Sequence, residues 1–247
     1  MQSSVRLAGA VLAAAVLWSA AAGAQSPLSP EQQDAVKALI RDTLVNDPTL
    51  LKDAVQALQD REQRAEMDRS SAVIRDLGKA LTHPEGLPDL LNAQGDVTVV
   101  EFSDYNCGYC KRVFPDLWQT LQADGKVRLV VLELPILGPE SVTAARAALA
   151  AIPQNKYEVL HKALMEAKGK MTEESVLQIA KTQGLDVDKL KKDMKSPAVD
   201  LLLANSFQMA QSLGISGTPA FVIGSHLVPG ALSPEALKEF IASARQK

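Results

Sequence analysis

The chain has 247 residues, 47% of them hydrophobic, with 26 Lys and Arg against 29 Asp and Glu. This composition excludes a largely disordered chain, and the slight acid excess offers nucleic acid no basic surface; the length allows one sizeable domain plus an appendage. With only two cysteines, a framework of several disulfides is excluded too.

Taken in chain order, residues 1–24 carry one basic residue, Arg6, an apolar stretch Leu7–Trp18, and the small residues Ala22-Gly23-Ala24. That is the layout of a secretory signal peptide cleaved after Ala24, because the apolar stretch falls well short of the roughly 20 residues a membrane span needs. Residues 25–78 form the next region. Val36, Leu39, Ile40, Thr43 and Leu44 recur at helical spacing, and after a break at Asn46–Pro48 so do Leu50, Leu51, Ala54, Val55 and Leu58. Two short amphipathic helices are expected, followed over 59–71 by a solvated connecting helix or hinge that packs on nothing. The apolar stripes must be covered, either by further copies of the chain or by folding back on the main domain.

The main domain is expected over 79–247. A Pro- and Gly-containing loop, His83–Pro88, precedes a β-branched strand, Asp96–Phe102. The cysteines follow at once, and Cys110, Val113, Phe114, Leu117 and Leu121 predict a helix that starts near Cys107 and is kinked at Pro115. Trp118 on that helix is assigned to core packing. A second strand is expected over Lys126–Ile136, a helical block over about 140–213, a hairpin from "TPAFVIG" and "HLVPG", and a closing helix with Ser233 as N-cap and Pro234 at N1. The order β, α, β, helical block, β, β, α predicts an α/β sheet with helices on its faces and a helical insertion.

Cys107 and Cys110 close too small a loop to staple a fold, so reactivity explains them better. At the start of a helix, unpaired backbone N–H groups favour a thiolate on Cys107, with Lys111 and Arg112 adding positive charge. Cys110 shares the inward face of Val113, Phe114 and Leu117. Cys107 is therefore assigned as the exposed nucleophile and Cys110 as the shielded resolving thiol, in an exchange that requires no dissolved cofactor. A structural zinc site would need about two more ligands, and His83, His161 and His226 are scattered without ligand spacing, so no metal site is assigned. Cu(I) on the soft dithiol stays open.

"VVEFSDYNCGYCKRVFP" and "GISGTPAFVIG" resemble the two signatures of the thioredoxin superfamily, and within it the periplasmic DsbA-like thiol-disulfide oxidoreductases. The resemblance covers roughly residues 95–247. It implies a thioredoxin fold with a helical insertion, a cis peptide bond between Thr218 and Pro219, and a buried acid, Glu101, that relays a proton to or from Cys110. Strand alternation alone leaves Glu101 free to face solvent instead. Gly108 and Tyr109 stand where the oxidising DsbA enzymes carry Pro-His; like the Thr before the proline they resemble the dimeric disulfide isomerases, and with Thr218 and Pro219 they are the candidate substrate-binding residues. "LVNDPTLLKDAVQALQ" resembles the N-terminal extension of the suppressor-of-copper-sensitivity protein C group, some of whose members trimerise through it. The resemblance thus implies a periplasmic disulfide isomerase or reductase that is a homo-oligomer, favouring a trimer. Its partners would be misfolded or reduced exported proteins and a membrane redox partner that recharges the dithiol. The alternatives are a dithiol oxidase and a Cu(I)-binding copper-tolerance protein.

Overall fold

The computed structural model describes residues 28–246; the expected leader and its cleavage point after Ala24 lie outside the described residues. By its contacts the chain divides into two compact units, one ending at Leu58 and one beginning at Gln59.

In the first unit, helix α1 (Pro30–Asn46) begins with a capping box: Gln32 N–H donates to Ser29 Oγ at 3.3 Å, and Ser29 N–H donates to Gln32 Oε1 at 2.9 Å. The break expected at Asn46–Pro48 shrinks to Asp47 alone, whose carboxylate accepts from the Thr49 N–H and hydroxyl, before helix α2 (Pro48–Leu77). The second helix is not short. It continues through the expected connector without interruption, because residues 59–77 contain neither Gly nor Pro and are rich in helix formers. No residue of α1 is buried.

The second unit is built on a five-stranded sheet: β1 (Leu90–Leu91), β2 (Val97–Ser103), β3 (Val127–Glu133), β4 (Ala220–Ile223) and β5 (His226–Pro229), in the order β1-β3-β2-β4-β5. Only β2 and β3 run parallel. Helix α4 (Gly108–Asp124) makes the crossover between them, running unbroken through Pro115. The helical block resolves into α5 (Pro139–Ala150), a 3-10 turn (Ile152–Gln154), α6 (Tyr157–Glu166), α7 (Glu173–Thr182), α8 (Val187–Asp193) and α9 (Pro197–Ser212), and α10 (Pro234–Arg245) closes the chain. A one-turn α3 (Lys79–Thr82) precedes the sheet.

The strands differ from expectation in two places. β1 lies between the expected loop His83–Pro88 and the expected strand from Asp96, and is too short to show a period of two, so no expectation covered it. The strand expected to reach Ile136 ends at Glu133, because Pro135 has no N–H to give and the Ile136 and Leu137 N–H groups turn to the Asp104 carboxylate, at 2.9 and 3.1 Å.

Alternation along the strands sorts the core into two layers. Val97, Val99, Val127, Leu129, Val131, Phe221 and Ile223 face one side, with Cys110, Phe114, Leu117 and Leu121 of α4, Leu237 and Ile241 of α10, and the insertion helices. Val100, Phe102, Val130, Leu132, Ala220 and Val222 face the other, under Ile74 of α2, Leu81 of α3 and Met209 of α9. The end of α2 is thus part of this core, and Ser70 too is buried. Gly95 marks the tightest backbone approach: a Cβ there would lie 2.5 Å from Arg128 N and 2.7 Å from Val127 C. Gly95→Ala is expected to cost about 1–3 kcal/mol, since only backbone movement relieves the clash. Urea unfolding reads this directly, and an unchanged midpoint would disprove it.

Candidate active site

β2 delivers the chain to the site through Asp104-Tyr105-Asn106. Asp104 Oδ1 accepts from Asn106 N–H at 2.8 Å while its Oδ2 holds the Ile136 and Leu137 N–H groups, so one carboxylate ties the approach to the cysteines to the end of β3. Cys107 is the N-cap of α4, and its Sγ accepts from Cys110 N–H at 3.4 Å. Both cysteines are free thiols. A sulfur so placed sits where unpaired N–H groups of the first helical turn converge, the setting that holds negative charge.

Across from it the Thr218–Pro219 peptide bond is cis, and the Thr218 carbonyl accepts from Cys107 S–H at 3.2 Å. Cys107 is less open than expected: it is 5% exposed, against none for Cys110, because the 218–219 segment lies over it. Gly108 and Tyr109 are exposed, a side chain at Gly108 would meet nothing within 4 Å, and Arg112 stacks 4.8 Å over the Tyr109 ring. Lys111 also differs from expectation. Its ammonium is half-buried and donates to the Leu164 and Ala167 carbonyls, at 2.6 and 2.8 Å, at the end of α6 rather than toward Cys107. Burial lowers its proton affinity.

Glu101 is fully buried on the sheet face that carries Cys110, and neither of its oxygens has a hydrogen-bond partner among the described residues. Desolvation raises its pKa to about 7, against a smaller lowering by the nearby Ser103 hydroxyl. Burial first, and the charge of Glu101 second, push the Cys110 thiol far up. Both groups are thus held toward their neutral forms.

Beside this pair lies a polar cluster that sequence inspection missed. Glu133, at the end of β3, accepts from the Tyr105 and Tyr157 hydroxyls at 2.7 and 2.8 Å, and Tyr105 Oη lies 2.8 Å from His161 Nδ1. All four residues are buried. Burial raises Glu133 and holds His161 neutral, its pKa lowered to about 3. The available signal was the one Glu101 gave, a carboxylate inside an apolar strand, here "VLEL". His161 and Trp118 occupy the core, the latter packed against Phe114. Among the described residues no group of three or more His, Cys, Asp or Glu side chains gathers as for a metal ion.

Residues 98–242 match the DSBA-like thioredoxin domain, more than half of the chain. The chain belongs to that family. Residues 32–65 of this DsbA-like protein match the copper resistance protein ScsC N-terminal domain. A thioredoxin-like oxidoreductase from Silicibacter pomeroyi DSS-3 is 47% identical, with 69% of this chain and 98% of that one covered at a TM-score of 0.68. ScsC of Proteus mirabilis in a transitional conformation is 29% identical, with 89% and 97% covered at a TM-score of 0.65. The Na(+)/H(+) antiporter NhaA 1 of Salinispora arenicola is 29% identical over 153 residues, and the chain spans about a quarter of that relative's length.

Proposed function

We propose that this DsbA-like protein is a thiol-disulfide isomerase or reductase acting on exported proteins in the periplasm. The observation that carries the proposal is the pairing of Cys107 Sγ, at the head of α4, with the Thr218 carbonyl 3.2 Å away. Bound edge-on beside Thr218, an extended substrate would bring its disulfide to Cys107, with the open face at Gly108 and Tyr109 receiving its side chains. The Cys107 thiolate attacks one substrate sulfur and the other leaves as a thiolate, giving a mixed disulfide. That substrate thiolate then either attacks a second disulfide of the substrate, whose released thiolate attacks the mixed disulfide and expels Cys107 as a thiolate, which is isomerisation, or Cys110 gives its proton to Glu101 and attacks Cys107 Sγ. The second route releases the first substrate sulfur and leaves a Cys107–Cys110 disulfide for a membrane redox partner to reduce.

Isomerisation is favoured over net oxidation by two features. Gly108 and Tyr109 supply no histidine to stabilise the Cys107 thiolate, which weakens the disulfide as an oxidant. Self-association is supported by the first unit, where Leu39 and Val45 of α1 are 66% and 71% exposed, and a trimer is favoured on the resemblance of this region to the ScsC N-terminal domain. Stalk-built oligomers would hold several dithiols around one substrate and away from a partner that oxidises monomers.

The test compares the chain from Gln25 with one from Gln59, which keeps Ile74 in the sheet core, on a substrate protein with scrambled disulfides. The longer chain is expected to restore activity and the shorter one only to exchange dithiols. Equal restoration by both would remove the stalk from the mechanism, and strong oxidation by the longer chain would make it an oxidase.

A further inference from the structure

Beyond Ser103 the chain leaves β2, and the residues from Asp104 to Cys107 are placed by their own contacts. The turn closes on itself: Cys107 N–H donates to the Asp104 carbonyl at 3.0 Å and Asn106 N–H to Asp104 Oδ1 at 2.8 Å. Its shape is thereby set, but its place in the protein depends on side chains that reach outward. Asp104 and Tyr105 tie the start of the turn to the end of β3 and the residues after it. The residue next to the nucleophile, Asn106, reaches elsewhere. Its Nδ2 donates to Ser141 Oγ of α5 at 3.2 Å, and its Oδ1 accepts from Met171 N–H, on the segment between α6 and α7, at 2.8 Å. Ser141 and Met171 are buried, which shields both bonds from competition by water.

Cys107 faces Thr218 across a gap of another kind. The pairing of β2 with β4 stops at Phe102 and Ala220, and the contact beyond it is the bond from Cys107 S–H to the Thr218 carbonyl at 3.2 Å. That bond lasts only while Cys107 keeps its proton. A thiolate has nothing to donate, so two electron-rich atoms then face each other. At the moment of attack, the distance between the sulfur and the backbone that receives the substrate has to be kept from the other side of the turn.

We propose that Asn106 is a positioning residue for Cys107: its carboxamide ties the turn to α5 and to the 167–171 segment, and so holds the sulfur at its distance from Thr218 once the proton has left. The residue type fits the task. One tie meets a hydroxyl oxygen that accepts and the other an N–H that donates, so a short side chain has to offer a donor and an acceptor together, as a carboxamide does. The anchor is itself held. Lys170, in the same segment, pairs with Glu140 of α5 at 2.7 Å, and Lys111 fixes the other end of the segment through the Ala167 carbonyl at 2.8 Å. Asn106 just before Cys107 and Lys111 just after Cys110 thus grip one segment of the helical insertion from both sides of the dithiol.

This inference rests on the exchange activity proposed above and adds which substrates depend on Asn106. A peptide disulfide has to lie along Thr218, whereas a small aromatic disulfide with no peptide backbone needs only to meet the sulfur. In the full chain, the ratio of the two second-order rate constants, peptide over small disulfide, is expected to fall about tenfold in Asn106→Ala, within what a misplacement of less than about 1 Å costs. Ser141→Ala, which removes one tie and leaves the Met171 bond, should lower the ratio by about two- to threefold. The double variant should do no worse than Asn106→Ala, where the Ser141 tie is already gone. A generally weakened fold moves both rate constants together and leaves their ratio alone. An unchanged ratio in either folded variant overturns the proposal, as does a double variant whose loss is the product of the single losses; Ser141→Ala carries the test if Asn106→Ala does not fold. Absence of exchange with the peptide in the unaltered protein would instead sink the proposed function, so the two failures are told apart.

Discussion

Cys107→Ser is expected to reduce disulfide exchange by about three orders of magnitude or more, to the uncatalysed level, while leaving the fold intact. The serine hydroxyl fits the same N-cap position and can still accept from Cys110 N–H and donate to the Thr218 carbonyl. What disappears is the sulfur that forms the mixed disulfide. Cys110→Ser should behave differently: the first attack survives and resolution does not, so a covalent Cys107–substrate adduct accumulates and is released by an external thiol. Non-reducing electrophoresis followed by mass spectrometry distinguishes them. An adduct through Cys110 in C107S would reverse the assigned roles.

The second large effect concerns stability. Glu101 has its folded-state pKa raised by desolvation from 4.5 to about 7. An acid whose proton is held more tightly in the folded state leaves stability untouched below about pH 4.5, and it destabilises progressively as pH climbs to 7, with no further change above. Glu101→Gln keeps the shape and cannot ionise. It is therefore expected to match the unaltered protein at pH 4 and to exceed it by about 2–3 kcal/mol at pH 8, while slowing resolution by Cys110. Urea unfolding at the two pH values checks this. Equal stability at pH 8 would mean that Glu101 meets compensating donors and is not a stored, neutral acid. Such a destabilisation would be accounted for by the proton relay with Cys110 that the proposed function assigns to Glu101.

The order of elements was legible because each left a local mark: β-branched runs for β2 and β3, Ser233-Pro234 opening α10, and Cys110, Phe114 and Leu117 spaced along α4. Local marks also fail predictably. Two residues of β1 carry no period, and a strand's end is decided by distant partners: Asp104 is 32 residues from the Ile136 N–H it captures. Of the two forms expected for residues 59–71, a connecting helix or a hinge, the helix is found, because helix formers without Gly or Pro carry α2 through them. At the site, the cysteine spacing and Thr218-Pro219 could be read directly. The Glu133 cluster could not, since Tyr105, Glu133, Tyr157 and His161 are spread over 56 residues and meet only when α6 folds beneath α4. Lys111 shows the opposite failure: adjacency in sequence suggested a role for its charge beside Cys107 that its side-chain direction does not support.

That same lysine has a consequence for how the site bears load. On the proposed function, a substrate held covalently at Cys107 would be part of a larger chain that is itself diffusing and refolding, and the head of α4 would be pulled from outside. Four residues along, Lys111 anchors α4 to the last carbonyls of α6 by two short hydrogen bonds. Tension on the sulfur would then pass into the helical insertion instead of being borne by the first turn alone, keeping the distance between Cys107 and Cys110 while the substrate moves.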